Sequence, residues 1–126
     1  MKLNRSILLI VSLMPTACTV NAKEKPIPLE DGQYFFEHKY AEAEHYQIKS
    51  IQLIVEIDGR TVVVINNDRF DVFAQGVLEE GTLMWHSKSR QWIIGDSPTD
   101  RNRDDIGGCS GGPNVIDLVN RIYWTC

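Results

Sequence analysis

The chain has 126 residues, 43% of them hydrophobic, and a formal net charge of −4. That length allows one domain with a single core and no more. An acidic balance leaves no basic stripe of the kind that displaces counterions from nucleic acid, so no nucleic-acid partner is expected.

Residues 1–22 have the layout of a secretory signal. Lys2 and Arg5 supply the positive start, Ile7 to Met14 is almost unbroken apolar sequence, and Pro15 ends any helix. Val20-Asn21-Ala22 places small residues where a signal peptidase reads. The apolar stretch is too short to span a bilayer, and no membrane span is expected in the mature chain. The leader holds Lys2 and Arg5 and no acid, so of 13 basic and 17 acidic residues 11 and 17 remain, a net charge of −6. The expected location is periplasmic or secreted. Thr16-Ala17-Cys18 also resembles the end of a lipoprotein box, with Pro15 standing where an aliphatic residue is usual. That second route implies acylation of Cys18 and a lipid anchor in the envelope membrane.

With Cys18 removed or acylated, Cys109 and Cys126 remain as a pair. An oxidising compartment predicts a disulfide between them. Their separation of 17 closes a loop that chain entropy values at about 3 kcal/mol.

Residues 23–32, with Pro26 and Pro28, are an extended lead-in, and 33–126 is expected to be one β-domain. In Gln33 to His38, the side chains of Tyr34, Phe36 and His38 share a face. Ala41 to His45 breaks that pattern and could form one helical turn. Ile48 to Ile57 is the clearest strand, with Ile51, Leu53, Val55 and Ile57 alternating. Asp58-Gly59 reads as a two-residue hairpin turn. Thr61 to Ile65 returns from it, apolar on both faces, as at a barrel wall. Phe70, Val72 and Phe73 form an apolar patch without a period, and Gly76 and Gly81 punctuate a turn region. A second hairpin runs from Gly81 to His86, turns through Ser87 to Arg90, and returns along Gln91 to Ile94. Leu83 and Trp85 should meet Trp92 and Ile94 across it, aromatic pairs worth about 0.5–1 kcal/mol each. Gly95 to Asn114 is a long, charged, glycine-rich loop. Two short strands, Val115 to Leu118 and Ile122 to Trp124, close the chain. Six or seven strands in hairpin order predict an all-β fold, a small antiparallel β-barrel or sandwich pinned by one disulfide.

Four groups of residues are candidates for function. Asp96, Asp100, Arg101, Arg103, Asp104 and Asp105 make the long loop a candidate binding loop. Its acids lack calcium-loop spacing, and local Asp–Arg pairs are expected instead. Tyr34, Phe36, Trp85, Trp92, Tyr123 and Trp124 are either core or the lining of a candidate pocket. His38, His45 and His86 lack the spacing of a zinc site and are expected as surface or strand residues. Gly108-Cys109-Ser110-Gly111-Gly112-Pro113 resembles the nucleophile segment of chymotrypsin-type serine proteases, Gly-Asp-Ser-Gly-Gly-Pro. Over those six residues, with Cys109 in place of the aspartate, the resemblance implies an attacking Ser110 beside an oxyanion hole. Such proteases have two barrels and about twice this mature length, and a glycine-rich disulfide turn is the expectation here.

The expectation is thus a non-enzymatic exported binding protein with no metal and no cofactor. An inhibitor or immunity-type protein for a lytic enzyme or toxin, with a basic protein as partner, is one form of it. A lipocalin-like carrier of a small apolar ligand is the other.

Overall fold

Alternation along the strands decides the architecture. In β1 (Gly32–Tyr40) the side chains of Phe36 and His38 are buried while Phe35 and Glu37 are exposed. In β2 (Ile51–Asp58) Ile51, Leu53, Val55 and Ile57 are buried, and in β3 (Thr61–Asn66) Val62, Val64 and Asn66 are. One face of each strand therefore turns inward and the period-2 pattern is realised. The computed structural model describes residues 24–42, 51–68 and 74–126. The expected leader with Cys18, residues 43–45 of the expected helical turn and the patch at Phe70 to Phe73 lie outside the described residues.

The sheet continues through β4 (Gly76–His86), β5 (Gln91–Gly95), β6 (Asn114–Asp117) and β7 (Ile122–Thr125), and closes into a barrel in sequence order. Each consecutive pair is antiparallel, but β1 and β7 pair in parallel, from Glu37 opposite Ile122 to Tyr40 opposite Thr125. Parity requires this. Seven strands that alternate in direction leave the first and last running the same way, so the seam is parallel.

The first hairpin turns through Gly59-Arg60, one residue later than the dipeptide Asp58-Gly59 suggests, because Asp58 still pairs with Thr61. Gly59 takes φ +59°, and its N–H donates to Asp31 Oδ1 at 2.8 Å. The second hairpin is as expected. Leu83 faces Ile94, Trp85 faces Trp92, and 87–90 is the loop. Gly81, expected in a turn, lies inside β4. A Cβ there would stand 2.8 Å from the Gly95 carbonyl oxygen and 2.8 Å from Ile94 Cγ2. Close approach of β5, not a turn, is what glycine serves at that position. The last β-turn spans 118–121, so Leu118 leaves the strand expected for it and packs into the core.

The inner core gathers Phe36, Leu53, Val55, Val64, Leu83 and Ile116 with their neighbours, and Trp92 and Tyr123 join it. A second, smaller cluster lies on the outer face: Met84, Ile93 and Val115, with Ile106 and Trp124 against them. The long connection 96–113 covers that outer face, and residues 24–31 cross one end of the ring. Ile27 and Leu29 of this strap pack on the inner core, so the lead-in is part of the domain.

Candidate functional site

Two surfaces carry the candidate residues. The first is the connection 96–113, which lies as a flap on the sheet. It begins with a single 3-10 turn, Pro98–Asn102. Asp100 is buried, and its Oδ2 accepts from the N–H groups of Asp96 at 2.9 Å and Ser97 at 3.1 Å. Those two backbone bonds, helped by Arg103, hold the Asp100 carboxyl below its ordinary range against the opposing effect of burial. Further on, Arg103 Nε and Nη2 donate to the two oxygens of Asp105 at 2.8 and 2.6 Å. Lys88 Nζ, from the β4–β5 loop, meets Asp104 at 2.7 Å. Arg101 reaches the strap, donating to Glu24 at 2.8 Å, and Arg60 holds the same carboxylate at 2.9 Å. The local Asp–Arg pairing expected of this loop is present at Arg103 and Asp105.

Beneath the flap, His86 is only 2% exposed. Its Nε2 donates to the Arg103 carbonyl at 2.6 Å, and its Nδ1 accepts from the Ser89 N–H at 3.3 Å and contacts Ser89 Oγ at 2.7 Å. His38 is equally buried and bonds Thr125 Oγ1 at 2.7 Å. Both lie in strands, one of the two placements expected for them, and are buried there, and His45 lies outside the described residues. The far end of the flap is fixed by the Cys109–Cys126 disulfide. Ser110 Oγ donates to the Gly107 carbonyl at 2.7 Å and accepts from the Gly112 N–H at 3.2 Å. It closes a turn, and both described histidines are bonded elsewhere.

The second surface is a cleft of about 280 Å³ at the end of the ring crossed by the strap. All three tryptophans line it. Trp85 and Trp92 stack edge to face with centroids 5.4 Å apart, and Trp124 faces in from the outer side of β7. The strap supplies one wall through Lys25, Pro26 and Pro28, and Lys25 Nζ stands 3.5 Å over the Trp85 ring. Arg90 and Asp117 complete the polar part. Arg90 takes φ +55° at the end of the β4–β5 loop. Asp117 accepts from the N–H groups of Val119 at 3.0 Å and Asn120 at 2.9 Å, and from Asn120 Nδ2 at 2.8 Å. Burial raises its pKa, but those hydrogen bonds outweigh burial and the net shift is downward.

The six aromatic candidates therefore divide. Trp85, Trp92 and Trp124 line the cleft, Trp92 also belonging to the inner core and Trp124 packing on the outer cluster. Phe36 and Tyr123 fill the inner core, and Tyr34 packs at its edge with its hydroxyl donated to the Glu30 carbonyl at 2.6 Å. The Tyr123 hydroxyl also donates to Glu79, whose Oε2 accepts from Asn114 Nδ2 at 2.9 Å. Burial first, then Glu79, pushes the Tyr123 pKa far above the usual phenol range. Sequence reasoning missed Lys25, Arg90, Asp117 and Glu79. Only Asp117 carried a usable signal, as an Asp three residues before an Asn at a turn.

No protein-family model, no curated protein and no solved structure matches this chain.

Proposed function

We propose that this chain is an exported, non-enzymatic binding protein of a bacterial-type envelope, of the inhibitor or immunity type, which meets a basic lytic enzyme or toxin with its flap. One observation carries the reading: the flap is tied to the rest of the domain at both ends and between them. A disulfide at one end, the buried Asp100 cap at the other and the Lys88–Asp104 and Arg101–Glu24 contacts between them restrain it. A loop ordered in advance loses little entropy on docking. The net charge of −6 left after leader removal steers a basic partner toward it. Asp104, with its side chain 91% exposed, is the foremost contact. The leader supports periplasmic or secreted delivery, with Cys18 as the anchor if it is acylated.

Titration calorimetry of the mature domain against basic lytic enzymes tests this. Micromolar or tighter binding is expected, with the on-rate falling about tenfold for Asp96→Lys combined with Asp104→Lys at low salt. Failure of every envelope protein and lytic enzyme to bind at micromolar concentration rejects the reading. The carrier alternative needs room for an apolar ligand, and the cleft supplies the observation that favours pursuing it.

A further inference from the structure

We propose that the tryptophan cleft is a separate binding site for a small aromatic carboxylate, its ring held among Trp85, Trp92 and Trp124 and its charge met by Lys25 and Arg90. The inference does not depend on what the flap binds.

Shape and apolar character come first. Trp85 and Trp92, from β4 and β5, line the cleft from the inner side of the sheet, Trp124 lines it from the outer side of β7, and Pro26 and Pro28 of the strap form a further wall. Rigid aromatic walls suit a planar apolar group. At about 280 Å³ the cleft sits at the low end of ligand-pocket sizes, which favours one or two fused rings over a larger body.

Charge then selects among such groups. Around the flap, its own Arg101 and Arg103 and Lys88 of the β4–β5 loop each pair with a carboxylate. At the cleft, neither Lys25 nor Arg90 has a carboxylate partner among the described residues. The one acid on the wall, Asp117, is engaged by three hydrogen bonds from its own turn. Asp117 keeps its charge, so two cations against one carboxylate leave the cleft net positive on an acidic protein, and a ligand anion would form a charge-assisted contact with Lys25 and Arg90. A polyanionic macromolecule would meet a domain whose overall net charge without Lys2 and Arg5 is −6. A small monoanion spans about a Debye length or less and responds mainly to the two nearby cations. The occupant is therefore a free small acid.

The test compares one ring system carrying three charges: 1-naphthylacetate, 1-naphthylacetamide and 1-naphthylmethylammonium. Calorimetry measures affinity on the mature domain, and the indole N–H resonances of the three tryptophans report location. The carboxylate is expected to bind about tenfold more tightly than the amide and more tightly still than the ammonium. It should shift all three indole signals. Lys25→Gln with Arg90→Gln should erase the preference for the anion while the amide still binds, and Arg90→Gln alone should reduce it. Equal affinity for all three probes, no binding at millimolar concentration, or shifts confined to other residues would overturn the proposal. So would acetyl-Ala-Ala-Phe with a free C-terminus binding more tightly than 1-naphthylacetate, which would make the occupant a chain terminus. Flap binding by a lytic enzyme is read separately, so either assignment can fail alone.

Discussion

The flap and the cleft solve opposite problems with similar residues. Both gather charged side chains against the ring. In the flap each named cation has a carboxylate within reach and Asp100 caps its first turn, so the charges hold the loop together. At the cleft, Lys25 lies over an indole and Arg90 projects from a loop, and the nearby carboxylate belongs to its own turn. Charges paired with carboxylates make structure, whereas cations with no carboxylate partner among the described residues, beside apolar surface, are open to a ligand anion.

The strongest way to break this contrast is to cut the covalent tether. Cys109→Ser with Cys126→Ser should cost about 3 kcal/mol in denaturant unfolding. It should also open the flap to trypsin at Arg101 and Arg103 while the three indole N–H signals of the cleft keep their positions. If the cleft signals collapse together with the flap, the two regions are one cooperative unit.

Steric loading of the flap comes next. A Cβ at Gly112 would fall 1.7 Å from the Asp105 carbonyl oxygen, a backbone atom with little room to move. Gly112→Ala should therefore cost about 1–3 kcal/mol, and thermal melting measures it. Val119→Ala, at a side chain 75% exposed beside the cleft, should leave the melting point within experimental scatter.

The electrostatic difference can be sharpened with pH. The folded-state pKa of Asp100 lies below its unfolded value, chiefly through the Asp96 and Ser97 N–H bonds. Its stabilising contribution is therefore complete above about pH 4, the unfolded carboxyl value, and is lost as pH falls through the lower folded value. The Asp96 and Ser97 amides should lose protection, measured against their intrinsic exchange rates, below that point. Asp100→Ala should speed exchange at neutral pH and cost about 1 kcal/mol. Unchanged exchange in Asp100→Ala would show that the first turn stands without its cap.

The smallest effect is expected where strap meets flap. Glu24 lies exposed between Arg60 and Arg101, and the Arg101 hydrogen bond, then Arg60, lowers its pKa. Exposed ion pairs contribute little to global stability. Glu24→Gln should leave the melting point almost unchanged yet alter the Trp85 signal, because Lys25 is the next residue. A silent Trp85 signal would separate the strap's ion pairs from the cleft.

The local chemistry of the chain could be read directly from it. Alternation at Ile51 to Ile57 set the inward face of β2, and the polar run Ser87 to Arg90 set a loop whose flanks pair as expected. Two cysteines left once Cys18 is assigned to a leader named their own bridge. Gly81 shows where such reading ends, since glycine in a turn and glycine under a close neighbour look alike until Ile94 is in place. The six aromatics show it too: their burial could be foreseen, but not which three would share a cleft.

What the sequence determined by itself was strand content, hairpin order, the disulfide and the acidic character of the long connection. Each depends on residues close along the chain or on a pairing with no competitor. The parallel seam, the flap laid over Met84, Ile93 and Val115, and the meeting of Lys25, Trp85, Arg90 and Trp124 were decided only by the closed sheet. Those contacts depend on register and on how the ring ends face one another. Periodicity and turn chemistry carry information about neighbours along the chain, and none about which distant segments closure brings together.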